Sequence, residues 1–272
     1  MNTPPSPQDP SAGNGAEHIA ETLKNLSVVL FRTKLPENIG GVARACVNMG
    51  CSSLVLVQPR QWDVRRAEPM ATYKGAPLLW NARIHDHLSE ALKPFSLVFG
   101  TTARTGGWRK GIVSAEAAAE RIVSYLAGDK PVAVVFGPED FGLTNEEIEL
   151  CGPLITIPTS PGASSLNLAQ AVLVVLYECL KRTLSGVPEP VYADSELISW
   201  EERERLYAWL KRALLDIDYL KKDNPDYWML AIRRFLNKTE IQRHEYNMLM
   251  GICRQVRWIT GNARRESPPE SD

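Results

Sequence analysis

The sequence predicts an α/β domain with a mostly parallel sheet and helices on both faces, followed by a small all-α domain. Three observations carry this. Short β-branched apolar runs recur up to residue 159, several continuous rather than alternating, as in strands covered on both faces. Helical patterns lie between them, and such alternation marks an α/β fold. After residue 200 the strand signal stops and only helical spacing remains.

The strand runs are SVVLF (27–31), SLVLVQP (53–59), ARIHD (82–86), SLVFGTT (96–102), PVAVVFG (131–137) and LITIPT (154–159). Helical patterns occupy 39–50, 114–128 and 144–152. The second opens on Ser114 and closes on Gly128, and in the third Thr144 with Glu147 three residues on forms a capping box. A further apolar helix, LNLAQAVLVVLYECL (166–180), follows a run of small residues and turn formers, with the Ser165 hydroxyl placed to cap it. Prolines, a glycine and small polar residues between 184 and 200 read as a linker. Beyond it, 202–220, 226–238 and 240–258 predict three packed helices. The expected organisation is a tail at 1–24, an α/β domain at 25–184, a linker at 185–199, a helical domain at 200–262 and a tail at 263–272.

Composition excludes several classes. The 272-residue chain has no apolar run approaching the roughly 20 residues of a membrane span. Its start, MNTPPSPQDPSAGNGAEH, has neither the basic segment nor the apolar core of a secretory signal, and reads as a disordered tail or a partner-binding arm. The five cysteines are scattered, odd in number and without a CxxC pair, which fits buried free thiols in a reducing cytoplasm. His85-Asp86-His87 has no further ligands nearby, so it reads as surface and no metal is expected. The net charge is −1, unevenly spread. Residues 200–265 hold 14 Lys/Arg and 9 Asp/Glu, while the remainder holds 17 and 23. The basic segment is either a phosphate-facing surface or a solvated helix face.

Three loops carry chemistry, each after a strand and before a helix, where ligands gather in open parallel sheets. The first, RTKLPENIGGVARACVNMG (32–50), has Asn38 and Gly40-Gly41 at its turn and Arg44 six residues past Asn38, expected on the same face as the loop. The second, VVFGPEDFGLTNEEI (134–148), holds Glu139 between Gly137 and Gly142, which permit close backbone approach. The third, IPTSPGASSLNLAQAV (157–172), places Ser164, Ser165 and Asn167 at a helix start, with its free N–H groups and positive dipole end. No GxGxxG, GxxxxGK[ST] or GxSxG occurs, which removes support for dinucleotide, P-loop and α/β-hydrolase readings.

In register, N-I-G-G-V-A-R, F-G-P-E-D-F-G-L-T-N-E-E and I-P-x(6)-S-L-N-L-A-Q-A-V resemble the three motifs of the SPOUT class of RNA 2′-O-methyltransferases. Over residues 25–184 and again in WMLAIRRFLNKTEIQRHEYNMLMGICRQV, the chain is similar to the TrmJ type of tRNA methyltransferase. The resemblance implies a C-terminal trefoil knot, a homodimer with active sites at the subunit interface, S-adenosylmethionine as cofactor and tRNA as partner. It implies cofactor contacts from Thr101, Thr102, Ala103, Gly137, Ile157, Ser164, Ser165 and Leu166. Asn38, Arg44, Glu139, Ser165 and Asn167 are implied at the reaction centre. Arg44 would orient the ribose 2′-hydroxyl, Ser165 and Asn167 would fix the ribose or the loop, and Glu139 would hold Arg44 or a loop amide. RNA contacts are expected from Arg65, Arg66 and Lys74 and from Arg233, Arg234, Lys238, Arg243 and Arg254. The implied target is nucleotide 32 of the tRNA anticodon loop. Methylation of ribosomal RNA and non-catalytic RNA binding on the same fold are the alternatives. Where the family often has an aromatic before SSLN, this chain has Ala163.

Overall fold

A computed structural model describes residues 21–104, 106, 111–160, 162, 165–186 and 197–266, with the side chains of 262–266 left out. The expected N-terminal tail through residue 20, most of the linker, Ala163, Ser164 and the end of the C-terminal tail lie outside the described residues.

Seven strands form one parallel sheet: β1 (Leu26–Phe31), β2 (Ser53–Val57), β3 (Arg83–His85), β4 (Leu97–Thr101), β5 (Ile112–Ser114), β6 (Val132–Phe136) and β7 (Leu154–Thr156). Their order is β3-β2-β1-β6-β4-β7-β5. The continuous apolar runs become the fully buried central strands: every residue of β1 and β6 is buried. Residues facing one way pack in a large core and those facing the other in a second core, as strand alternation requires. Thus Val28 and Leu30 join the first, while Val29 and Phe31 join the second.

Helices α1 (Pro36–Asn48), α2 (Val64–Trp80), α4 (Ala115–Ala127) and α6 (Leu168–Leu184) cover the first core. Short helices α3 (Leu88–Leu92) and α5 (Asn145–Glu149) lie at the second. Ser114 caps α4 and Thr144 with Glu147 forms the capping box of α5, as the sequence predicts. The cap of α6 differs from expectation. Asn167, not Ser165, accepts from Ala169 N–H, and Gln170 reaches back to the Asn167 N–H. The helix begins two residues later than a serine cap would allow.

Three elements escape the sequence pattern, the five-residue α3 among them. Helix α2 carries Pro69 and Pro77 and is broken at Thr72 (φ 61°) into two helical pieces. It crosses α1 so closely that a Cβ on Gly40 would stand 1.9 Å from the Ala67 carbonyl oxygen, so this crossing requires glycine. Strand β5 is three residues at the sheet edge, directly before the α4 cap.

The C-terminal region is three helices, α7 (Trp200–Asp216), α8 (Pro225–Leu236) and α9 (Arg243–Glu266). Apolar clusters around Leu206 and Met250, and around Tyr207 and Met229, hold them together. Trp200, the first residue of α7, belongs to the second core of the α/β domain and donates its indole N–H to the Leu150 carbonyl at 2.8 Å.

Candidate active site

The second and third loops meet the loop after β4 at the carboxyl ends of β4, β6 and β7, around a cavity of about 290 Å³. Thr101, Thr102, Ala103, Gly137, Glu139, Ile157, Ser165 and Leu166 all line it. Phe136, Leu143, Ile155, Leu168 and Ala171 add apolar wall, and Thr159 adds a hydroxyl. Backbone closeness shapes the loop: a Cβ on Gly137 would lie 2.4 Å from both Gly142 C and Leu143 N. Gly142 itself has φ +68°, a conformation glycine adopts without strain.

Glu139 ties the second loop to the first. Helix α1 has Leu35 as its N-cap residue, which offers no capping side chain. The Glu139 carboxylate takes that place from another part of the chain, accepting from Lys34 N–H at 2.9 Å, Leu35 N–H at 3.4 Å and Asn38 Nδ2 at 2.7 Å. A carboxylate there also meets the positive end of the α1 dipole. Asn38 Oδ1 in turn accepts from Asn167 Nδ2 at 3.1 Å, which brings in the third loop. Asn38, Glu139 and Asn167 therefore form one hydrogen-bonded chain at the cavity rim.

Arg44 is exposed and does not line the cavity of its own chain. Six helical residues turn 600°, so Arg44 points about 120° away from Asn38 rather than sharing its face. The backbone of Arg44 packs beside Gly75 of α2, where a Cβ would stand 3.3 Å from the Arg44 nitrogen.

Arg104 and Phe141 were not legible in the sequence. Both line the cavity, and Arg104 Nη2 donates to the Phe141 carbonyl at 3.3 Å. Their nearest signal is adjacency, since Arg104 follows the Thr101–Ala103 loop and Phe141 sits between Glu139 and Gly142. Burial pushes the thiols of Cys151 and Cys179 well above the ordinary range, so neither has thiolate character for nucleophilic chemistry.

The cations divide into two sets. Arg233 makes two bonds to Glu204, at 2.6 and 3.0 Å, and Arg234 pairs with Glu149 at 2.9 Å. Arg243 pairs with Glu202, and Arg66 with Glu37. Those guanidiniums hold the structure together locally. Arg65, Lys74, Lys238 and Arg254 are exposed, with no ion pair among the described residues.

Comparison with known proteins agrees with this architecture. Residues 25–177 match the SpoU rRNA Methylase family, and residues 201–268 match the C-terminal domain of tRNA methyltransferase TrmJ. The chain is 38% identical over 247 residues to the tRNA (cytidine/uridine/adenosine-2′-O-)-methyltransferase TrmJ of Pseudomonas aeruginosa, covering 87% of this chain and 95% of that one. It is 34% identical to the tRNA (cytidine/uridine-2′-O-)-methyltransferase TrmJ of Salmonella choleraesuis, covering 86% and 97%. The crystal structure of TrmJ from Z. mobilis ZM4 superposes with a TM-score of 0.72 at 31% identity, covering 85% of this chain and 98% of that one. The chain belongs to the SpoU methylase family and, within it, to the TrmJ tRNA methyltransferases.

Proposed function

We propose that the protein transfers a methyl group from S-adenosylmethionine to a ribose 2′-hydroxyl of tRNA, at nucleotide 32 of the anticodon loop. The observation that carries this reading is a cavity lined by the second and third motif loops, to which the Asn38–Glu139–Asn167 chain ties the first. The matching C-terminal domain favours tRNA over ribosomal RNA.

The cavity fits the cofactor in kind. Its glycine-built wall leaves backbone groups open to a ligand, and its apolar lining suits a purine beside the hydroxyls of Thr101 and Thr159. When bound, S-adenosylmethionine supplies an electrophilic methyl group. The residues of the chain supply position. Thr101 donates its hydroxyl to the Val135 carbonyl at 3.0 Å, and Thr102 N–H bonds the Ile155 carbonyl at 2.9 Å, so this wall is rigid before any ligand arrives. Ser165 lines the mouth and would hold the ribose, while Asn167, bonded to Asn38 and Ala169, would fix the loop. In-line placement of a hydroxyl against a bound donor accounts for much of the rate enhancement required.

Arg44 completes the site from the partner subunit. Its absence from the lining of its own cavity, together with a face of α6 that exposes Leu173, Tyr177 and Leu184, supports a homodimer in which Arg44 of the partner subunit reaches the cavity. A guanidinium stays protonated, so its role is to pair with a phosphate, orient the hydroxyl and stabilise developing negative charge, not to act as a base. Lys238, Arg254, Arg65 and Lys74 supply phosphate contacts, which give affinity rather than sequence choice.

We also infer that the chain threads a trefoil knot. Strand order supports it, since the late strands β6 and β7 are each inserted between strands formed earlier. The functional reading is tested by incubating tRNA with the protein and isotopically labelled S-adenosylmethionine, then analysing nucleosides and sequencing fragments by mass spectrometry. A labelled 2′-O-methyl nucleoside at position 32 is expected. Label on a base, or none on tRNA, contradicts it.

A further inference from the structure

A second cavity, also of about 290 Å³, lies on the seam between the α/β domain and the C-terminal helices. Apart from Lys238, given a phosphate contact above, its lining takes part in no step of the proposed reaction. Its floor is apolar, formed by Val113, Ile148 and Leu154 among others. Its rim is cationic: Arg121, Arg234 and Lys238 all line it. Two of these charges are offset, Arg121 by Glu240 at 2.9 Å and Arg234 by Glu149 at 2.9 Å. Lys238 is left over, exposed and without an ion pair among the described residues. The carboxamide of Asn145, also on the rim and exposed, has no hydrogen-bond partner among the described residues.

The geometry points to a nucleotide-binding site in this seam, with a base on the apolar floor, its edge read by Asn145 and its phosphate held by Lys238. The chemistry suits that class. An apolar slot can bury a planar ring against its aliphatic side chains. A carboxamide offers one acceptor and two donors to a base edge. Among the described residues the rim has one excess cation, which suits one phosphate.

The cavity also adjoins the methyl-donor cavity. Leu154 lines the seam cavity and Ile155 lines the other, so consecutive residues of β7 face the two sites from opposite sides of one strand. Helix α5 continues from the loop that holds Glu139 and supplies Asn145, Ile148 and Glu149 to the seam. The two cavities therefore share a wall.

The nucleotide could be free or part of an RNA strand, and the test separates the two. The full-length protein is titrated with cytidine 5′-monophosphate, with inorganic phosphate and with a single-stranded RNA pentamer, by calorimetry. Binding of the monophosphate marks a free-nucleotide site, and binding of the pentamer alone marks a strand site. In either case Lys238→Ala and Asn145→Ala each weaken binding about tenfold, with melting curves like those of the wild type because both residues are exposed. The proposal is overturned if neither probe binds more tightly than inorganic phosphate, or if both variants bind as the wild type does. Methyl transfer is not measured, so either outcome leaves the reading of the first cavity standing.

Discussion

Glu139 and Asn38 lie 101 residues apart in the chain and meet at 2.7 Å, carboxylate to amide. Through this bond a loop after β6 fixes the entrance to α1, and Asn38 passes the constraint to Asn167 at the start of α6. The pocket's shape thus depends on a polar relay among three loops as well as on the core beneath.

Glu139→Gln tests the relay. The side chain keeps its size, but one oxygen that accepts backbone N–H bonds becomes a donor facing donors. Turnover is expected to fall about 100-fold, the scale of a 1 Å misplacement, in steady-state methyl transfer with the fold intact by circular dichroism. Near-normal turnover would show that the loops are placed by packing alone.

Gly137→Val tests the donor cavity. A Cβ at this position overlaps the backbone of Gly142 and Leu143, neither of which is the end of a flexible side chain. The loop must shift, so S-adenosylmethionine affinity drops by at least about tenfold, roughly 1.4 kcal/mol. Calorimetry with unchanged affinity would remove this loop from the cofactor site.

Arg44→Ala should separate binding from chemistry. The side chain is exposed and lines no part of its own cavity. Cofactor affinity stays at the wild-type value while turnover on tRNA falls about 10³-fold, as when a charge-stabilising donor is removed. Single-turnover kinetics on tRNA check this; wild-type turnover would exclude Arg44.

Acid stability depends on the helical region. Hydrogen bonding from Arg243, opposed by partial burial and assisted by Ser199 N–H, holds the Glu202 carboxyl below its ordinary value. Because the folded-state value is the lower one, the pair's contribution is present in full above about pH 4.3 and is lost as pH falls through the lowered value. In Glu202→Gln, thermal midpoints of the helical region should vary less between pH 6 and pH 3 than in the wild type. An identical acid profile for the two proteins would refute this role.

Trp200→Ala should cost about 3 kcal/mol, the scale of a large aromatic deleted from a core, and should strand the Leu150 carbonyl acceptor. Urea unfolding measures it. A loss under about 0.5 kcal/mol, the size of a surface change, would mean that Trp200 does not bind the two regions together.

Much of this was legible because it is local. The central strands are continuous apolar runs, and the Ser114 and Thr144–Glu147 caps declare the starts of α4 and α5. Other features are not local. Pro69, Pro77 and the break at Thr72 hide α2 from any periodicity. β5 is three residues long and merges into the α4 cap. The insertion of β6 and β7 between earlier strands leaves no trace in composition. At the site, residue types and loops were readable, and of the two partners given for Glu139 the loop amide is the one observed, not Arg44; its bond to Asn38 and the direction of Arg44 were not readable. Charge counts marked the C-terminal helices as basic. They could not tell that Arg233, Arg234 and Arg243 are committed to Glu204, Glu149 and Glu202.

The central claim, a methyl-donor cavity completed by the other subunit's arginine, is tested most directly by mixed dimers. Arg44→Ala and Gly137→Val chains are co-expressed with different tags, and the heterodimer is purified by both. With S-adenosylmethionine held well below the dissociation constant of Gly137→Val, each parent homodimer is nearly inactive, whereas the heterodimer pairs one intact cavity with one intact Arg44 across the interface. The account predicts about half the wild-type rate of tRNA methylation, one working site of two. A heterodimer as inactive as its parents would contradict it.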